Sequence, residues 1–235
     1  MTLTDNQIER YSRQIIVPGV GGRAQERLLA ACVAIVAAPA DAAGAVAYLA
    51  GAGVGRIAIH PVGDRASYEA MVERMRDLNP DVSVGIASDE MPGQSDLTLA
   101  LIGDARAAEA AAGLWRAPRI GAQGEREPRC RAAVIARLDT PGRIAVLPAP
   151  PPCPLCAEGD LLRPPGERAG NAGAIAMVAV TEAFWLLAGF AGKQPEAALI
   201  DFDGYVSRPR ALYHRRRHAS GGGGGKARCV CEALS

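Results

Sequence analysis

The chain has 235 residues, 49% of them hydrophobic, which is enough for a sizeable core in one large domain or one and a half. With 26 basic against 25 acidic residues the formal net charge is +1, excluding a global field that gathers nucleic acid or an anionic membrane. The longest apolar stretches are broken by Glu182 and Pro39 short of a membrane span, and "MTLTDNQIERYSRQ" lacks a secretory apolar region, so a cytoplasmic protein is expected.

The first predicted element is a short helix over "TDNQIERYSRQ", capped by Thr4 or Asp5. "VPGVGGRAQERLLAA" then gives turn glycines and a second short helix. "CVAIVAA" is β-branched and small enough for a strand covered on both faces. A loop at "PAD" leads to "AAGAVAYLAGAGVG", whose small residues suit a helix packed tightly on a sheet and ended by glycine. "RIAIH" is the second strand, and the resulting βαβ opening favours a parallel, doubly wound sheet.

"SYEAMVERMRDLNPDVSVGIA" reads as a helix closed at Asn79 and Pro80 followed by a strand, and "SDLTLALIG" as a fourth strand. "APRIGAQ" and "CRAAVIARLDTPGRIAVLP" add strands, the latter turning at Pro141 and Gly142, so the later sheet is expected to be mixed and partly antiparallel. A proline-rich loop precedes "NAGAIAMVAVTEAFWLLAGFAG", the strongest helix pattern of the chain. "AALIDFDGYVSRPRAL" is a hairpin turning at Asp203 and Gly204, and the glycine-rich "HASGGGGGKA" is a flexible connector. The fold class expected is α/β, a Rossmann-like doubly wound sheet, parallel in its N-terminal half and mixed in its C-terminal half.

Six cysteines are present, four of them in two close pairs: Cys153 and Cys156 in "CPLC", and Cys229 and Cys231 in "CVC". Two such pairs supply the four soft ligands of a structural Zn2+, with unligated or redox-active thiols as the alternative. Four thiolates leave no open coordination position, so such a zinc pins the tail and does no chemistry. Cys32 opens a buried strand and reads as a small core hydrophobe. Cys130 lies between arginines in "EPRCRAA", a setting that lowers a thiol pKa, although an ordinary loop or strand residue is the favoured reading.

Taken together, "LTDNQIERYSRQIIVPGVGGRAQERLLAACVAIV", "YLAGAGVGRIAI", "LNPDV", the two cysteine pairs, "AIAMVAVTEAFWLLAG" and "LIDFDGYVSR" resemble the ThiF/MoeB/HesA family, bacterial relatives of ubiquitin-activating enzymes. The matching segments run through nearly the whole chain in the family's order. The resemblance implies adenylation of the C-terminal glycine of a small ubiquitin-like protein, often a sulfur carrier, using ATP and Mg2+. It also implies one domain over residues 1–235. Within it, residues 1–30 form dimerisation helices, 31–105 the nucleotide-binding half, 106–218 the carrier-binding half, and 219–235 a tail with a cysteine pair.

The same resemblance locates where this chain departs. A glycine-rich loop of the GxGGLGS type follows the family's first strand; here Ala37, Pro39, Ala40, Asp41, Ala42 and Ala43 stand at those positions, and Gly44 lies one place beyond. Glycines let the backbone approach a nucleotide, whereas Pro39 has no N–H to donate and Asp41 repels a phosphate. The family's ribose-binding acid falls at Pro61, with Asp64 nearby as a misplaced substitute. The segment carrying a phosphate-binding arginine is missing, leaving Arg65 either to reach inward or to stand solvated. No lysine precedes Lys193. Asp104 in "LIGDAR" is the clearest survivor of the Mg2+ and ATP machinery, and an isolated aspartate there also suits a helix cap. The family's frequent cysteine before an "EAG" segment corresponds to Ala169. Arg10 and Arg13 are retained, and the resemblance gives Arg13 a role in trans, in the ATP site of a dimer partner; a surface or interface ion pair is its alternative.

These losses make ATP binding doubtful and favour a non-catalytic member that works as a dimerisation or binding subunit. Its partners would be a second copy or an active family member, a ubiquitin-like sulfur-carrier protein, or both. No nucleic-acid or membrane partner is expected. An active adenylyltransferase using Asp104, Arg10, Arg13 and Arg65 is the alternative, and a small-molecule binding module with an alanine-lined crevice is the second.

Overall fold

The computed structural model of the protein describes residues 2–87, 95–116, 119–120, 126–127, 130–148, 161–189, 197–203 and 206–211. In chain order its first half comprises α1 (Asp5–Ile15), α2 (Gly21–Ala30), β1 (Cys32–Ala37), α3 (Pro39–Gly51), β2 (Arg56–His60), α4 (Arg65–Arg76), β3 (Ser83–Ile86) and β4 (Ser95–Ile102). The second half comprises α5 (Ala105–Arg116), β5 (Arg119–Ile120), β6 (Arg126–Glu127), β7 (Cys130–Arg137), β8 (Gly142–Leu147), α6 (Ala172–Ala188), β9 (Ala198–Asp203) and β10 (Val206–Ala211).

Eight strands form one sheet in the order β10-β9-β8-β7-β4-β1-β2-β3. β7, β4, β1, β2 and β3 run parallel, and β8, β9 and β10 continue the sheet antiparallel, as the sequence predicts for its two halves. Strand periodicity decides which side chains meet which helices. Val33, Ile35 and Ala37 of β1, Leu97, Leu99 and Leu101 of β4, and Val134 and Ala136 of β7 enter one core with α3, α4 and α6. Val36, Ala100, Ile102, Ala133 and Ile135 point the other way, into a second core with α5. Both faces are covered, so the parallel strands read as continuous apolar runs rather than alternating ones. Each fully buried Leu or Ile contributes about 1.5–3 kcal/mol, so this two-sided burial is the main support of the sheet.

β1 crosses through α3 to β2 on one face, while β4 crosses through α5 to β7 on the other. The direction of winding therefore reverses between β1 and β4. A doubly wound sheet opens a crevice beyond the carboxyl ends of its strands at such a point.

The N-terminal helices pack against the opposite end of α3. Thr4 caps α1 in a capping box: its hydroxyl accepts from the Gln7 amide at 3.3 Å and its own amide donates to Gln7 Oε1 at 3.1 Å. Tyr11, 1% exposed, donates its hydroxyl proton to Asp81 at 3.0 Å and accepts from Asn79 Nδ2 at 2.9 Å. Asn79 also donates to the Ala50 carbonyl at 2.8 Å, and the buried Gln25 donates to the Ala52 carbonyl at 3.1 Å. Arg10 closes the cluster on Asp81 at 3.1 Å. Gly53, at φ +85°, makes room for this network: a Cβ there would stand 2.7 Å from the Tyr11 ring and from Gln25 Nε2.

Three elements differ from the sequence reading. Helix α3 begins at Pro39 rather than at Ala42, so the expected loop does not exist. Proline at the first helical position and an acidic residue in the first turn are good helix starts, and no glycine is present to hold a loop open. Helix α5 has no counterpart in the sequence reading; its alanines present small contacts, Ala107, Ala108, Ala111 and Ala112, instead of a bulky stripe. The strand expected at "APRIGAQ" is only β5, which pairs with β6 in a separate two-stranded ribbon. Among the described residues no helix is long and apolar enough to cross a membrane.

Candidate functional site

The crevice at the reversal point is bounded by the carboxyl ends of β1, β2 and β4. β1 ends at Ala37 and α3 starts at Pro39, so Ala38 alone joins strand to helix. The amides of Asp41 and Ala42 both donate to the Ala38 carbonyl, at 3.0 and 2.9 Å, which commits them to the helix. Gly44, the remaining glycine of the segment, faces α6: a Cβ would lie 3.4 Å from Met177 Cε.

Asp41 points across the crevice. Its carboxylate oxygens meet Arg168 Nη1 at 3.1 Å and Nη2 at 2.5 Å, a two-pronged charge-assisted pair. The Asp41 side chain is 7% exposed and that of Arg168 48%, so the carboxylate is enclosed and the guanidinium forms the outer wall. The pair lies directly over Gly103, the residue after β4, where a Cβ would come 2.6 Å from Arg168 Nη1 and 2.7 Å from Asp41 Oδ2. The hydrogen bond to Asp41 holds the Arg168 pKa above its ordinary value, against the opposing effect of burial.

Arg168 is itself carried by a pinned segment. The amide of Gly166 donates to Asp139 Oδ2 at 2.9 Å, that of Thr140 to the Glu167 carbonyl at 3.0 Å, and that of Ala169 to the Leu138 carbonyl at 2.8 Å. Burial pulls the Asp139 carboxyl upward, but Arg137 and the Gly166 amide prevail and hold it below its ordinary value. Beside this segment lies a hollow of about 290 Å³ lined by Arg137, Asp139, Pro141, Arg143, Arg163 and Pro164, in which Arg137 pairs with Asp139 at 2.5 Å. Arg143 of the same hollow pairs with Asp201 at 2.7 Å.

On the β2 side, Tyr68 closes the floor. Its hydroxyl donates to the Ala37 carbonyl at 2.7 Å and accepts from the Val62 amide at 2.9 Å, tying the end of β1 to the loop after β2. Burial raises its pKa, and the Asp104 and Asp41 charges add to that shift.

The other predicted site residues are placed as follows. Asp104 caps α5, accepting from the Ala107 amide at 2.8 Å, and approaches Arg106 at 3.8 Å. Arg65 does not reach inward: it pairs with Glu69 one turn along the exposed face of α4, at 3.2 Å. Asp64 caps α4 through the Ala66 amide at 3.3 Å and Ser67 Oγ at 3.1 Å. Arg13 is exposed in the last turn of α1, and Cys32 is buried as expected. Ala169, the counterpart of the family's cysteine, is buried beside Arg168. Cys153, Cys156, Cys229 and Cys231 lie outside the described residues, among which no cluster of three or more metal-ligating side chains occurs. Cys130 opens β7.

The residues present do not fit a nucleotide held by backbone amides. At the end of β1 one linking residue, a proline without N–H and two amides already bonded to Ala38 replace a phosphate-binding loop. Sequence reasoning missed Arg168, whose partner is 127 residues away. The signal available was a charge in "ERAGNAG" just before the small-residue start of α6.

No protein-family model matches the chain. It is 36% identical over 103 residues to protein HesA, vegetative, of Trichormus variabilis, a match covering 36% of this chain and 38% of that protein. It is 42% identical over 59 residues to a sulfur carrier protein adenylyltransferase of Thermus thermophilus, covering 25% of this chain and 22% of that protein. The matches thus span well under half of the relatives' own length. Among solved structures, MccB of E. coli with ATP shares the fold at a TM-score of 0.60 and 12% identity, over 86% of this chain and 70% of that one.

Proposed function

We propose that the chain, similar to HesA and to a sulfur carrier protein adenylyltransferase, is a member of the ThiF/MoeB/HesA family that acts as a non-catalytic subunit, binding a ubiquitin-like sulfur-carrier protein, an active family member, or both. The observation that carries this reading is the passage from β1 into α3 through Ala38 alone, which removes the loop a nucleotide needs. Four of the five residues that could have stood in for lost parts have other partners: Asp104 and Asp64 cap helices, Arg65 pairs along α4 and Arg10 pairs with Asp81. Arg13, exposed at the end of α1, is the one left to act in a partner's site. Isothermal titration with Mg-ATP, followed by pyrophosphate exchange in the presence of a sulfur-carrier protein, tests the proposal. Neither binding nor exchange is expected, and micromolar binding together with exchange overturns it.

A second reading, an active adenylyltransferase, is favoured by the name of the Thermus thermophilus relative. The same exchange assay decides between the two. We further propose that Cys153, Cys156, Cys229 and Cys231 hold one structural zinc. Metal analysis of the purified chain should find one zinc per chain, reduced in Cys153→Ser.

A further inference from the structure

A ligand crevice is vacated in two ways: its binding groups disappear, or the protein supplies a group of its own that occupies it. The end of β1 shows the second as well as the first. Asp41 is an anion placed in the first turn of α3, with its carboxylate enclosed and gripped by both terminal nitrogens of Arg168. Planar guanidinium meeting two oxygens is also the geometry in which arginine takes a phosphate or another oxyanion. The pair sits over Gly103, the one position beside it where any side chain would collide with both partners. The backbone that carries Arg168 is tied to Leu138, Asp139 and Thr140 by the amides of residues 166, 169 and 140, and its guanidinium is held by Asp41. A further guanidinium, that of Arg106, stands by Gly63, 3.0 Å from where a Cβ would be, and approaches Asp104 at 3.8 Å.

We infer that Asp41 is a built-in anion: its carboxylate fills the oxyanion position of the crevice against Arg168, and this contact shuts the crevice to phosphate-class ligands. The inference deepens the non-catalytic reading and rests on it, by assigning the closure to one removable charge. Without that carboxylate, Arg168 is left unneutralised beside the first turn of α3. An inorganic oxyanion can then replace the charge that was removed.

The experiment uses the full chain and inorganic phosphate, followed by titration calorimetry and by thermal melting against chloride at matched ionic strength. The wild-type chain is expected to show no phosphate-specific heat or melting shift. Asp41→Asn, which keeps the shape of the side chain, should bind phosphate at least about tenfold more tightly than wild type, because one facing negative charge is gone. Asp41→Asn combined with Arg168→Gln should lose that gain. An Asp41→Asn protein that folds but binds no better than wild type overturns the inference while leaving the non-catalytic reading intact. Phosphate binding by the wild-type chain overturns it too. Mg-ATP binding with pyrophosphate exchange by the wild type instead sinks the reading on which it rests. Asp41→Ser, which preserves a polar first turn, replaces Asp41→Asn if that variant does not fold. Failure of both to fold overturns the inference, since Asp41 is then a requirement of the fold and not a removable plug.

Discussion

Helix α3 carries a polar cluster at each end, and the two are built on different physics. At its C-terminal end the buried Asn79 and Gln25 donate to the Ala50 and Ala52 carbonyls, and the buried Tyr11 bonds Asn79 and Asp81. At its N-terminal end Asp41 and Arg168 are a charge pair with one wall in solvent. The first cluster lies in the segments that most resemble the family, the second where the chain departs from it. A buried polar network stabilises because each member leaves an orphan behind when removed. A half-exposed ion pair contributes less, because water and salt compete for it. The resemblance at one end of α3 thus reflects architecture, and the departure at the other end reflects a changed site.

The largest expected effect tests the C-terminal end. Gly53→Ala places a Cβ against Tyr11 and Gln25 at a left-handed backbone position, and should destabilise the fold by about 3 kcal/mol in urea denaturation. Asn79→Ala strips partners from the Tyr11 hydroxyl and the Ala50 carbonyl, with an expected loss of about 2 kcal/mol.

The same cluster sets an alkaline limit. Burial is the main cause that pushes the Tyr11 pKa up to about 12, so folding favours the protonated phenol. The associated stability is complete below pH about 10 and disappears as pH rises toward about 12, a loss of about 1 kcal/mol at pH 11. Melting curves of Tyr11→Phe should lack this component. Arg168→Ala should cost about 1 kcal/mol or less, reduced further in high salt. A loss equal to that of Asn79→Ala would erase the distinction between the two ends. Arg65→Ala removes only an exposed pair one helical turn long and should change stability by less than about 0.5 kcal/mol.

Much of this was legible in the chain. "CVAIVAA" and "RIAIH" became β1 and β2 because apolar runs covered on both faces have few other solutions. The mixed second half followed from the Pro141 and Gly142 turn and from the hairpin of β9 and β10. The start of α3 was legible and was misread: the absence of loop glycines suggested a filled loop, whereas Pro39 and Asp41 are themselves helix-starting residues. Helix α5 is hard to read from periodicity because alanine contrasts weakly with its neighbours. Asp104 betrayed it as a cap. The Asp41 and Arg168 contact was beyond reach, since no local pattern encodes a partnership between the first turn of one helix and the approach to another.

The sheet order has a consequence for strand addition. Strand β10 forms one free border of the eight-stranded sheet, and Pro209 stands within it, paired in register with Ile200 of β9. Proline removes a donor from the row of backbone groups that an intruding strand would use. The opposite border, β3, spans only four residues. Among the described residues, a proline at one border and shortness at the other make both borders poorer templates for strand addition.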